Sequence, residues 1–114
     1  MEDCLFCKII NKEIKSDIVF ENDTVLIFKD ISPQAPVHLL AVPKEHIESI
    51  LEIEKLDCRI LKELMEAISR IALENGLDKD GFRVVINTGT GAGQSVNHLH
   101  FHILGKRKLT WPPG

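Results

Sequence analysis

The chain has 114 residues, 44% of them hydrophobic and 27% charged, a size and mix that fit one globular domain spanning residues 1–114 around a single core. Fourteen Lys and Arg against seventeen Asp and Glu leave a net charge of −3, which argues against a nucleic-acid polymer as partner. No apolar run approaches the roughly 20 residues that span a bilayer, so no membrane association is expected.

Met1-Glu2-Asp3 is acidic where a secretory signal is basic, and three cysteines cannot all pair within the chain. A cytoplasmic protein with reduced thiols is expected. In chain order, the spacing predicts a short helix from about Leu5 to Ile10, then strands over Ile18–Glu21 and Val25–Lys29 joined by the turn formers Asn22-Asp23. Ser32-Pro33 and Pro36 interrupt regular structure, and His38–Val42, ended by Pro43, reads as a third strand. Leu56, Ile60, Leu64, Ile68 and Ile71 recur every three to four residues, which predicts one long amphipathic helix over Ile53–Asn75 with Gly76 at its C-terminus. Phe82–Asn87 and Asn97–Leu104 supply two more strands on either side of a glycine-rich stretch, Thr88–Gly93. The expected fold is α+β: a five-stranded antiparallel sheet with one long helix and a short N-terminal helix. Lys106–Lys108 reads as a solvated basic turn, and Cys58 as a thiol on the long helix without a ligand partner.

The last strand carries the chemistry. His98, His100 and His102 alternate with Leu99 and Phe101, so in a strand the three imidazoles share one face while Leu99, Phe101 and Ile103 face the core. Asn97 falls on the apolar side of that pattern, where a bulkier residue is expected. Three readings follow: a polar sheet face, a zinc site using the histidines as ligands, or nucleophilic catalysis by the central imidazole with its neighbours polarising a phosphoryl group. The upstream run Asn87-Thr88-Gly89-Thr90-Gly91-Ala92-Gly93-Gln94-Ser95 favours an anion, because its glycines let backbone amides approach closely and Gln94 and Ser95 add donors. It is not a Walker loop, since no Gly-Lys-Ser/Thr follows.

Gly93-Gln94-Ser95-Val96 followed by His98-Leu-His100-Phe-His102-Ile-Leu resembles the histidine-triad signature. Asp30-Ile31-Ser32-Pro33-Gln34-Ala35-Pro36 with His38, Val42-Pro43-Lys44 with His46, and the closing Trp111-Pro112-Pro113-Gly114 resemble the HINT-type branch of that family. The resemblance implies a homodimer that binds purine nucleotides of the AMP or GMP type and hydrolyses nucleoside phosphoramidates. His100 would be the nucleophile and His102, assisted by Ser95, Gln94 and Gly93, would polarise a phosphate oxygen; His38 would stand behind the triad. Asp30 would accept the ribose hydroxyls, Asn87 would contact the phosphate and ribose end, and Trp111 would lie near the partner's site. Phe6, Ile9, Ile14, Phe28 and Ile31 would form the base cleft, although each also reads as ordinary core.

Cys4 and Cys7 have the gap of a zinc knuckle, which needs two further ligands to close a tetrahedron. Some bacterial histidine-triad proteins and the related galactose-1-phosphate uridylyltransferases resemble this chain in pairing such cysteines with two histidines. The resemblance implies His46 and His98, a structural Zn2+, and a His98 removed from the chemistry. A redox pair and two plain buried thiols are the alternatives.

Overall fold

The computed structural model describes residues 3–114. Met1 and Glu2, which entered the reading of a leader sequence above, lie outside the described residues. Helix α1 spans Leu5–Ile10, and its N-cap is Cys4, whose Sγ accepts the Cys7 N–H at 3.3 Å. Strands β1 (Ile18–Glu21) and β2 (Val25–Lys29) form the expected hairpin. Its turn is built by Asn22, whose Oδ1 accepts the backbone N–H groups of Thr24 and Val25 at 2.9 and 2.8 Å. β3 runs Val37–Pro43, from just after Pro36 to the next proline. Helix α2 (Cys58–Glu74), β4 (Phe82–Val85) and β5 (Phe101–Gly105) complete a sheet of five antiparallel strands in the order β1-β2-β3-β5-β4.

The period-two pattern of the strands sorts side chains into two cores, one on each face of the sheet. The larger holds Val25, Ile27, Leu39, Ala41, Phe101 and Ile103 against Leu64, Ala67, Ile68 and Ile71 of α2. That helix is an apolar stripe at i, i+3, i+4 and i+7, and each fully buried leucine or isoleucine contributes roughly 1.5–3 kcal/mol. The smaller core packs Phe6 and Ile9 of α1 on Leu26, Phe28, Leu40 and Val42. The histidines share the face of this smaller core, His102 standing opposite Leu40 and the rings of His98 and His100 meeting Phe6.

Several boundaries differ from expectation. The long helix is two pieces, a 3-10 turn over Ile50–Lys55 and α2, because Leu56 is extended and Asp57 caps a new start by accepting the Arg59 N–H at 2.7 Å. Leu56 stays in the core, which is why the apolar period runs through the break. α2 ends as predicted: Gly76 takes φ +69°, and the N–H groups of Gly76 and Leu77 bond back to Leu73 and Ala72. β4 stops at Val85 rather than Asn87, and the glycine-rich connection contains a 3-10 turn at Thr90–Ala92. β5 begins at Phe101, not Asn97, so Asn97 is exposed rather than on the apolar face. Cys58 is exposed at the first residue of α2.

Candidate functional site

The approach to β5 still alternates although it is not paired as a strand: Leu99 joins the larger core, while His98 and His100 both meet the edge of Phe6, at ring-centre distances of 6.0 and 5.0 Å. The three imidazoles share the face opposite α2, as expected. They are not a polar surface, because His98 is 0% and His100 4% exposed.

Each ring is tied to a different partner. His98 joins the cysteines, its Nδ1 lying 3.4 Å from Cys4 Sγ, 3.6 Å from Cys7 Sγ and 3.1 Å from His46 Nδ1. Cys7 Sγ in turn lies 3.4 Å from His46 Nδ1. The other ring nitrogen of His98, Nε2, is 2.8 Å from the Pro43 carbonyl oxygen; a carbonyl only accepts, so Nε2 carries the proton and Nδ1 presents a lone pair to the cluster. A tetrahedral zinc with Zn–N of about 2.05 Å and Zn–S of about 2.3 Å requires N···N edges of about 3.3 Å and N···S edges of about 3.6 Å. The separations fit. Burial, reinforced by the neighbouring Cys4, pushes the Cys7 thiol up to about 11, so that sulfur becomes a thiolate readily only beside a cation. The donor set, two sulfurs and two imidazole nitrogens, suits a zinc ion.

His100 Nδ1 lies 2.6 Å from the His98 carbonyl oxygen, and the same logic puts its proton on Nδ1. Its Nε2 then carries a bare lone pair. Among the described residues no buried side-chain nitrogen lacks a partner, so the unpartnered Nε2 reaches the surface.

His102 stands opposite Leu40 and Val85 in the sheet, and its Nδ1 lies 2.9 Å from His38 Nε2. His38 Nδ1 accepts the backbone N–H of Gln34 at 3.0 Å, which leaves the His38 proton on Nε2, donating to His102. Burial holds His38 below the usual imidazole range, partly opposed by Asp30, and holds His102 down to about 4, with the neighbouring His100 and His38 adding to the effect. Both rings are neutral near pH 7. With its Nδ1 accepting, neutral His102 carries its proton on the outward Nε2. The two adjacent rings, with centres 5.2 Å apart, therefore present a lone pair on His100 and an N–H on His102.

The remaining predicted residues divide. Asp30 Oδ1 accepts the Ser32 N–H at 2.7 Å and Oδ2 lies 3.4 Å from His38 Nε2, so the carboxylate builds the turn and also borders the histidines. Asn87 is half-buried with no hydrogen bond to its side chain among the described residues. Phe6, Ile9 and Phe28 are core, and of the three Phe6 meets the rings of His98 and His100; Ile14 and Ile31 are exposed, Ile31 at 94%. Gln94 is a correction. Its Oε1 accepts the Gly89 N–H at 2.8 Å and its Nε2 donates to the Glu48 and Val96 carbonyls at 2.7 and 3.1 Å, so its donors close the glycine-rich loop instead of serving an anion. Gly93 takes φ +87° in the same loop, a conformation that glycine adopts without strain. Ser95 is exposed and lines a cleft of about 850 Å³ with Cys4, His46, Glu48 and Asn97, with no hydrogen bond to a triad ring. Trp111 is 81% exposed.

Three contributors carried no sequence signal: the amide of Gln34, the carbonyl of Pro43, and Arg107, whose Nε donates to the Gln34 carbonyl at 2.8 Å. Arg107 is thus more than part of a solvated turn.

Residues 3–110 match the family model described as "Scavenger mRNA decapping enzyme C-term binding". An uncharacterised HIT-like protein of Synechococcus elongatus is 50% identical over 113 residues, covering 99% of this chain and 98% of that one. A 14 kDa zinc-binding protein of Brassica juncea is 46% identical over 114 residues, covering 98% and 100%. Among solved structures, a HIT family hydrolase from Legionella pneumophila superposes with a TM-score of 0.94 at 46% identity, covering 98% of this chain and 100% of that one. A histidine triad nucleotide-binding protein from Candida albicans gives 0.85 at 31% identity, covering 94% and 77%.

Proposed function

The chain belongs to the histidine triad (HIT) family, and from that premise we propose that it is a nucleotide-binding hydrolase that cleaves the P–N bond of purine nucleoside 5′-phosphoramidates through His100. The observation that carries the reading is the 2.6 Å contact between His100 Nδ1 and the His98 carbonyl, which commits the proton to one nitrogen and leaves the other a nucleophile. Nε2 attacks the α-phosphorus, the P–N bond breaks, and the amine departs with a proton supplied from His102 Nε2. Water then displaces the nucleotidyl group from His100, releasing the nucleoside monophosphate and returning a proton to His102. Until it gives up that proton, His102 hydrogen-bonds the developing charge on a phosphoryl oxygen. Asp30 and Asn87 take the ribose end, Ile31 gives the base an exposed apolar contact, and Ser95 and the Gly93 region approach the phosphate once it is bound.

Cys4, Cys7, His46 and His98 would hold one zinc ion, a reading supported by the edge lengths above and by the name of the Brassica relative. Bound there, zinc cross-links α1 to the segment carrying His100, and four protein ligands leave it no open position for water. With His98 drawn into this cluster, the three triad rings do not converge on one metal. We include a homodimer in the proposal: β4 is an edge strand whose Phe82 and Val84 are exposed, and Trp111 is free to reach a second copy.

A turnover screen of nucleoside phosphoramidates tests the reading, with wild type and His100→Ala side by side. Turnover by wild type and its loss in the variant are expected. Equal turnover in both would remove His100 as nucleophile, and tight AMP binding without turnover would make the protein a binding module.

A further inference from the structure

Asp30, His38 and His102 place a carboxylate oxygen and two imidazole nitrogens within 4.8 Å of one another, beside the nucleophile. Two histidines and a carboxylate are a donor set that divalent transition metals favour. Bound there, a metal would take His102 out of use.

We propose that the backbone N–H of Gln34 is a positioning group that keeps metal out of this cluster and directs it to the cysteine site. The N–H donates to His38 Nδ1 at 3.0 Å, and a nitrogen that accepts a hydrogen bond cannot carry the ring's single proton. That proton sits on Nε2, the atom that faces His102 Nδ1 at 2.9 Å and Asp30 Oδ2 at 3.4 Å. A protonated nitrogen has no lone pair for a metal. To ligate, His38 would have to move its proton to Nδ1, against a second N–H at hydrogen-bond distance, and the resulting clash of donors is the barrier.

The cysteine site is arranged the opposite way. There the backbone group facing the ring is the Pro43 carbonyl, which takes the proton of His98 Nε2 and bares Nδ1 toward Cys4 and Cys7. One histidine meets a main-chain donor and the other a main-chain acceptor, so the backbone decides which cluster binds metal.

Gln34 is held in place from several sides. Its carbonyl accepts from Arg107 Nε at 2.8 Å, its side-chain amide donates to the Ser32 carbonyl at 3.1 Å, and the Ser32 N–H is held by Asp30 at 2.7 Å. The backbone N–H of Gln34 also sets the polarity of His102. With His38 in the other tautomer, His102 would donate from Nδ1 and turn a lone pair toward the phosphoryl oxygens.

The test replaces the Gln34 residue by its α-hydroxy acid, which exchanges the N–H for an ester oxygen that accepts and therefore favours the Nδ1–H form of His38. Cobalt(II) titration followed by absorbance is expected to fill about one site per protomer in wild type and in Gln34→Ala, which keeps the amide, and about two in the ester protein. The second site should vanish when Asp30→Asn is added. A second site in wild type that Asp30→Asn removes would overturn the proposal, as would a folded ester protein that stops at about one. If the ester protein does not fold, nitrogen-15 NMR of wild type decides: an unprotonated His38 Nδ1 and a protonated Nε2 are expected, and the reverse refutes the assignment. The consequence for His102 rests on the hydrolase reading. The metal count and the NMR do not, so a protein with no phosphoramidate turnover would sink that reading and leave this one standing.

Discussion

Phe6→Ala separates support of the triad from contact with a nucleotide base. Phe6 is 4% exposed and meets Phe28, His98 and His100 edge to face, at ring-centre distances of 5.4, 6.0 and 5.0 Å. Deleting such a ring costs about 3–5 kcal/mol through lost transfer energy and the cavity left behind, a large part of the roughly 5–15 kcal/mol that holds a domain folded. For 114 residues the entropy of unfolding is about 0.24 kcal/mol per degree, so the melting temperature should fall by about 12–20 °C. His100 loses the wall that fixes its ring, and kcat should drop about 10- to 100-fold with little change in KM. Denaturant and thermal unfolding at fixed free zinc, with steady-state kinetics on an adenosine phosphoramidate, measure both. A stability loss below about 1 kcal/mol with a raised KM and an intact kcat would show that Phe6 touches the base and is not a support.

Further outcomes follow from the same geometry. Burial holds His102 down to about 4 against an ordinary 6.5, so between those values the unfolded chain binds a proton that the folded chain does not; this ring's contribution should erode stability as pH falls through that window. Urea midpoints of wild type and His102→Asn between pH 7 and pH 4 should converge on acidification; parallel curves would contradict it. Gly105→Ala should lose about 1–3 kcal/mol in urea unfolding, because the new Cβ would stand 2.6 Å from Leu77 Cδ2 inside the larger core, and an unchanged midpoint would mean that Leu77 moves freely. The double variant Cys4→Ser/Cys7→Ser should purify without zinc by elemental analysis and melt lower than wild type; retained zinc would place the metal elsewhere.

Much of this was legible in the sequence because local signals and burial agree. α1, β1 and β2 lie where the apolar pattern and Asn22 put them, and Cys4, Cys7, His46 and His98 do converge. The break at Leu56-Asp57 was hidden because Leu56 is buried on either side of the decision, helix or extended, and the apolar period cannot tell them apart. Gln94 misled because its residue type advertises donors, while the carbonyls that consume them belong to Glu48, distant in sequence, and to its own neighbour Val96. The groups that set the histidine tautomers are main-chain atoms of Gln34, Pro43 and His98. Every residue but proline carries such an N–H and every residue such a carbonyl, so only the fold can single them out.

The most direct measurement is intact-mass analysis of protein mixed with an adenosine phosphoramidate and quenched in base within milliseconds, followed by peptide mapping. The account predicts a nucleotidyl adduct on His100 that forms and decays at rates compatible with turnover. Turnover without any adduct, or an adduct mapped to another residue, would contradict it.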